Sequence, residues 1–140
     1  MKIFLDANIL VSVLNKEYPL FPFTSRILSL SDNSRYQLYT SPVCLAIAFY
    51  FAEKKHRTTI AKQKMDLLCQ YIRIAPATEQ AVSKTLNNQA IHDFEDGIEY
   101  YSAIESGCQC IITENTGDFY FSELEVADSR EFCSRYLVKH

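Results

Sequence analysis

At 140 residues the chain is of single-domain size. Its 48% hydrophobic and 22% charged residues supply one core and exclude a disordered chain. Only three glycines are present (Gly97, Gly107, Gly117), so neither a GxGxxG turn nor a Walker-type phosphate loop can be written. A formal charge of −3 and a pI near 5.6 remove the overall electrostatic footprint of a nucleic-acid binder. A local basic face or a metal bridge remains as the means of meeting phosphate.

Five cysteines (Cys44, Cys69, Cys108, Cys110, Cys133) are odd in number and scattered, with no CxxC. They read as reduced core fillers of a cytosolic protein, and the Cys108/Cys110 pair is a poor zinc signature. No run of about 18 apolar residues occurs, and Asp6 and Asn8 interrupt the opening where a signal peptide needs an apolar run. The expectation is a soluble, cytoplasmic protein with no membrane partner.

Met1–Leu5 is a short apolar strand bounded by Asp6, and Ala7–Leu14 places Leu10, Val11 and Leu14 on one helical face. Tyr18–Phe23, with two prolines and three aromatics, reads as a rigid connector to a helix capped by Thr24 and running through Leu30. Ser31–Arg35 is a turn and Tyr36–Thr40 a second strand. Ser41-Pro42 opens a helix to about His56, the serine as cap and the proline in the first helical position. A helix over Ala61–Gln70, a strand over Tyr71–Ala75 and a helix starting from Thr78 follow. Asp93–Ser106 is an amphipathic helix ended by Gly107, and Gln109–Thr113 is a continuous apolar strand. Leu124–Val126 is a last strand, with a C-terminal helix from Ser129. Alternating short strands and helices predict one α/β domain over residues 1–140: a three-layer sandwich with a central, mostly parallel sheet of about five strands. Ligands of such sheets bind at the carboxyl ends of strands, which directs attention to Asp6, Asn8, Ser41, Asn115 and Asp118.

Three clusters bear chemistry. Asp6 and Asn8 follow the first strand, where a carboxylate either holds a divalent cation or caps the next helix. His92-Asp93-Phe94-Glu95-Asp96 opens a helix on which Asp93, Asp96 and Tyr100 share one face, with Glu95 and Glu99 on a neighbouring stripe. Asp93 and Glu95 suit the dipole of the first turn. Asp96, projecting from a packed helix, costs several kcal/mol unless paired or metal-bound. Thr113–Phe119 follows an apolar strand and by itself reads as a turn.

The 27 residues DFEDGIEYYSAIESGCQCIITENTGDF, Asp93–Phe119, resemble the third and fourth motifs of the PIN-domain family, the VapC-like metal-dependent ribonucleases, in their small bacterial branch. FLDANIL resembles the family's first motif and SPVCLAIAFY its second. The resemblance implies a PIN-like fold, Mg²⁺ or Mn²⁺ as cofactor and an RNA substrate. It makes Asp6, Asp96 and Asp118 metal-binding acids, with Asn115 where many members carry a fourth acid. It also makes Asn8, Thr113 and Asp93 supporting residues, and implies an antitoxin partner and a homodimer. The second motif departs: relatives carry an acid or an asparagine where this chain has Ile47, with Ala46 or Ala48 the alternatives if the register slips. Glu53 lies about 240° around the helix from Ile47 and does not fill the gap.

Lys54, Lys55, His56, Arg57, Lys62 and Lys64 are the one basic concentration. They form either an RNA-binding arm, with Lys54, Lys55, Arg57 and Lys62 its principal cations, or a solvated face. Tyr50, Phe51 and Tyr71 are candidates to stack bases. Two functions follow: a metal-dependent endoribonuclease of the PIN/VapC toxin type, or a degenerate PIN-like module that binds RNA or a partner without cleavage.

Overall fold

The computed structural model describes residues 1–137. Five parallel strands, β1 (Lys2–Leu5), β2 (Gln37–Thr40), β3 (Arg73–Ile74), β4 (Cys110–Ile112) and β5 (Glu125–Ala127), lie in the order β3-β2-β1-β4-β5. Seven helices flank the sheet: α1 (Ala7–Leu14), α2 (Phe21–Leu28), α3 (Pro42–Lys55), α4 (Thr58–Leu68), α5 (Glu79–Asn87), α6 (Phe94–Glu105) and α7 (Ser129–Tyr136). The sheet is all parallel, as its apolar strands demand. In register, Phe4 lies between Tyr39 and Ile111, and Ile112 pairs with Ala127.

The chain steps from β1 outward to β2 and β3, then crosses back to β4 and β5 on the other side of β1. Crossovers of one hand therefore place α1–α4 and the pair α5 and α6 on opposite faces, while α7, after the last strand, packs on α2. α1 packs on α2 and α3, while α5 packs on α6. Phe4, Ile3, Leu5, Ile9, Leu10, Ile27, Leu38, Ile111, Ile112 and Phe132 are fully buried between these layers. The reversal of strand order falls between β1 and β4, and such a switch point opens a crevice beyond the carboxyl ends of the two strands.

Caps set most helix starts where the sequence puts them. Asp6, Ser41, Thr78, Asp93 and Asp128 each accept a backbone N–H of the following helix, and Asp128 with Glu131 completes a capping box. Gly107, at φ 78°, turns the chain out of α6.

α2 corrects the sequence reading. It begins at Phe21 and not after Thr24, because Pro22 sits in its first turn, where a proline lacks nothing the helix needs. Thr24 caps nothing. It is buried and shares a 2.9 Å hydrogen bond with Ser12 of α1. Elsewhere boundaries move by one to three residues, and β3 keeps only two residues of the expected five.

A carboxylate-lined cleft at the switch point of the sheet

The crevice beyond β1 and β4 is a cleft of about 460 Å³ lined by Asp6, Asn8, Glu17, Asp93, Glu95, Asp96, Asn115 and Asp118 together with Ala7, Val11, Ile47 and Phe51. Six of these twelve residues are carboxylic acids and none is basic. Asp6 enters from the end of β1, and Asp93, Glu95 and Asp96 come from the first turn of α6. Asn115 and Asp118 belong to the turn after β4.

Asp6 is buried and tightly tied. Its Oδ1 accepts the Ala7 N–H at 2.7 Å and its Oδ2 accepts the Thr113 hydroxyl at 2.7 Å. The Asn8 amide donates to Asp6 Oδ2 at 3.4 Å and to Thr113 Oγ1 at 3.1 Å, while Asn8 Oδ1 accepts the Glu114 N–H at 3.1 Å. Thr113 Oγ1 also accepts the Asn115 N–H at 3.1 Å. This network fastens the carboxylate after β1 to the turn after β4, so its orientation is set before any ligand arrives.

Asp93 caps α6 through its Oδ1 on the Asp96 N–H at 3.1 Å, which fixes where Asp96 stands. The Asp96 carboxyl is pushed up to about 7 by burial and by the charges of Asp93, Asp6, Asp118 and Glu95 in that order. Glu95 is raised as well, by burial and then by Asp93 and Asp6. Carboxylates that raise one another's pKa, with no cation beside them among the described residues, fit a site for a hard divalent ion with oxygen ligands.

Of the three candidates in the second motif, Ile47 lines the cleft, and Ala46 and Ala48 do not. The basic run does not enter it. Lys54, Lys55, Arg57 and Lys62 are exposed and absent from its walls. Lys54 reaches the rim, with its Nζ 4.4 Å from the Tyr50 ring centre and 5.9 Å from that of Phe51. Lys55 Nζ instead donates to the Asn15 carbonyl. Lys64 and Tyr71 line a different groove.

The sequence reading missed Glu99. It is only 1% exposed, and it lies with Asp6 and Cys44 in a group whose ligand atoms are all within 4.8 Å of one another. Burial, then the charge of Asp6 and a contact with it, push the Glu99 carboxyl up to about 10. The Cys44 thiol is raised as well, by burial and then by Glu99 and Asp6, in keeping with its place in the core. The available signal was spacing: Glu99 is three residues after Asp96 and four before the buried Ala103, on the inward stripe of α6.

The chain is 24% identical over 139 residues to ribonuclease VapC1 of Aquifex aeolicus, covering 96% of this chain and 95% of that one. Its fold is similar to that of VapBC2 of Rickettsia felis bound to a DNA fragment from its promoter (TM-score 0.68, 19% identity, 91% of this chain and 98% of that one). It is also similar to VapBC-1 of nontypeable Haemophilus influenzae (TM-score 0.69, 20% identity, 93% and 99%). A PIN domain model matches residues 2–117, a stretch that carries every residue of the cleft except Asp118. The chain belongs to the PIN-domain family.

Proposed function

We propose that the chain is a divalent-cation-dependent endoribonuclease of the PIN/VapC type, with Asp6, Asp96 and Asp118 holding Mg²⁺ or Mn²⁺ and Asn115 beside them. The observation that carries this is the charge of the cleft, six carboxylic acids without a base, in a chain similar to a named ribonuclease. Mg²⁺ is commonly held by one or two protein carboxylates, with water and phosphate oxygens completing its octahedron, so the reduced acid set suffices for one ion. Bound there, the ion would lower the pKa of a water and stabilise charge on the scissile phosphate.

The chain's own residues do the rest. Thr113, Asn8 and the Ala7 N–H aim Asp6, and Asp93 fixes Asp96 by capping α6. Phe51 on the wall offers a face for a base, with Lys54 beside it for phosphate. As in the VapBC assemblies it resembles, we take the partner to be an antitoxin. A separate groove of about 440 Å³, with Val13, Leu14, Phe21, Leu28, Leu67 and Leu68 among its walls, gives an apolar partner a place away from the cleft. We also take the chain to be a cytoplasmic homodimer.

Calorimetric titration with Mn²⁺ tests the reading. We expect Asp6→Asn and Asp96→Asn each to weaken binding at least about tenfold, on the order of the loss seen when a metal site is disturbed, and to abolish cleavage of single-stranded RNA. Equal heats from wild type and Asp96→Asn would overturn it.

One observation favours a second reading, a PIN-like module that binds RNA or a partner without cutting. Ile47 places an apolar side chain on the cleft wall, where the resemblance of the second motif implies an acid or an asparagine. Ile47→Glu decides between them. On the nuclease reading it adds a ligand, tightens Mn²⁺ and raises cleavage. A folded Ile47→Glu chain that still neither binds Mn²⁺ nor cleaves RNA would favour the module.

A further inference from the structure

Behind the cleft, Asp6, Cys44 and Glu99 meet from three separate segments: the end of β1, the first turn of α3 and the middle of α6. Their exposures are 7%, 0% and 1%. Cys44 Sγ lies 3.9 Å from Asp6 Oδ1, and all three donor atoms fall within 4.8 Å of one another. The Glu99 carboxyl is in hydrogen-bonding contact with Asp6 and Cys44, but these contacts leave one of its oxygens unaccounted for. Asp6 has its donors in Ala7, Asn8 and Thr113, but Glu99 Oε2 is buried and has no hydrogen-bond partner. A buried carboxyl oxygen left without a partner is destabilising, more so if charged, and among the described residues no cationic side chain acts on Glu99 or Cys44 to offset it.

We propose that Asp6, Cys44 and Glu99 form a second, buried cation site for a thiophilic divalent ion of the zinc class, joined to the cleft through the Asp6 carboxylate. The donor set sets the class. Thiolate with carboxylate suits zinc-like ions, whereas an all-oxygen set suits magnesium and manganese. With bonds of about 2.0–2.3 Å, donors around tetrahedral zinc stand about 3.3–3.8 Å apart, so the group needs to contract by roughly an ångström. Three protein donors leave one position of a tetrahedral ion for water. An ion there supplies the missing partner of Glu99 and ties β1, α3 and α6 together at the back of the cleft. This site extends the proposed function and does not require that the chain cleave RNA.

The experiment uses the full chain stripped of metal and titrated with Cd²⁺, a spectroscopic stand-in for Zn²⁺. Readouts are the ultraviolet cadmium–thiolate charge-transfer band and the bound equivalents by native mass spectrometry. We expect one equivalent to develop the band, Cys44→Ser to remove it, and Cys69→Ser, at the one half-buried thiol, to keep it. Glu99→Gln is expected to keep the band at saturation but weaken affinity by at least about tenfold. No band in the wild type, a band that survives Cys44→Ser, or unchanged affinity in Glu99→Gln would each overturn the site. The wild-type and Glu99→Gln results stand even if Cys44→Ser fails to fold. RNA cleavage with Mn²⁺ is read separately. A chain that shows the band but cleaves nothing keeps this site and loses the nuclease reading, and the converse result loses this site alone.

Discussion

Asp96 is the residue whose chemistry is most exposed to test. Its carboxyl moves from an ordinary value of 3.8 to about 7, through burial first and then through Asp93, Asp6, Asp118 and Glu95. Between those two values the folded chain holds a proton that the unfolded chain has given up. The metal-free protein therefore loses stability as pH rises from about 4 through 7, and the loss is complete above that. Asp96→Asn removes this slope. After allowance for solvent screening of a half-buried group, we expect the variant to gain about 1 kcal/mol on wild type between pH 4 and pH 8. Denaturant titrations of both chains at the two pH values measure it. Saturating Mn²⁺ is expected to reverse the order at pH 8, because the cation offsets the repulsion in wild type and the variant has lost a ligand. A variant no more and no less stable than wild type at either pH value, with and without Mn²⁺, would show that Asp96 faces no other charge. At this scale the sequence was legible where a residue's local setting sufficed. Asp6 at a strand end and Asp93 at a helix start could be read from their neighbours. For Glu99 spacing gave only the inward stripe of α6; its meeting with Cys44 and Asp6 depends on α3 lying against α6, a contact between residues about fifty positions apart.

Caps govern the elements, and caps are local, so helix starts were readable and helix packing was not. Gly97 shows the difference. In an exposed helix, alanine in place of glycine stabilises by about 1 kcal/mol. Here a Cβ at position 97 would stand 2.2 Å from Thr85 Cγ2 and 3.0 Å from Ile91 Cγ2. Thr85 cannot swing aside freely, since its hydroxyl donates to the Ala81 carbonyl at 2.7 Å and the residue is buried. α5 thus lies against the backbone of α6, one residue along from Asp96. We expect Gly97→Ala to destabilise by about 1–3 kcal/mol through overpacking. Thr85→Ser, which deletes the offending methyl, should restore most of that loss when combined with it. Thermal unfolding of the two single variants and the double variant reads the coupling. Strictly additive effects would mean that the helices have room to separate. α2 makes the complementary point, since its start was misread because Pro22 looks like a connector residue in sequence and is a first-turn residue in the fold.

Across the whole molecule, charge is segregated. The chain is acidic overall, its cleft is lined by acids alone among charged groups, and the cations expected to meet RNA stand on the end of α3 and the start of α4. The alternation of strands and helices made the parallel sheet readable, but the distance between that basic run and the cleft depends on how α3 crosses the sheet. Phe51 joins the two, with its ring on the cleft wall and Lys54 Nζ 5.9 Å from its centre. An RNA strand whose base reaches Phe51 would lay neighbouring phosphates toward Lys54, Arg57 and Lys62. Lys55 is left out of this account because it is engaged with the Asn15 carbonyl. Single-stranded contacts contribute a slope of about 0.7 per phosphate to the dependence of log K on log salt. A Lys54→Ala/Arg57→Ala/Lys62→Ala chain is therefore expected to lose about 2 from that slope and to bind RNA more weakly at low salt, while its Mn²⁺ affinity is unchanged. Fluorescence anisotropy with a labelled oligoribonucleotide across a salt series measures the first two, and calorimetry the third. An unaltered slope would make the basic run a solvated face, and the path of the RNA would then have to be sought along the other rim of the cleft.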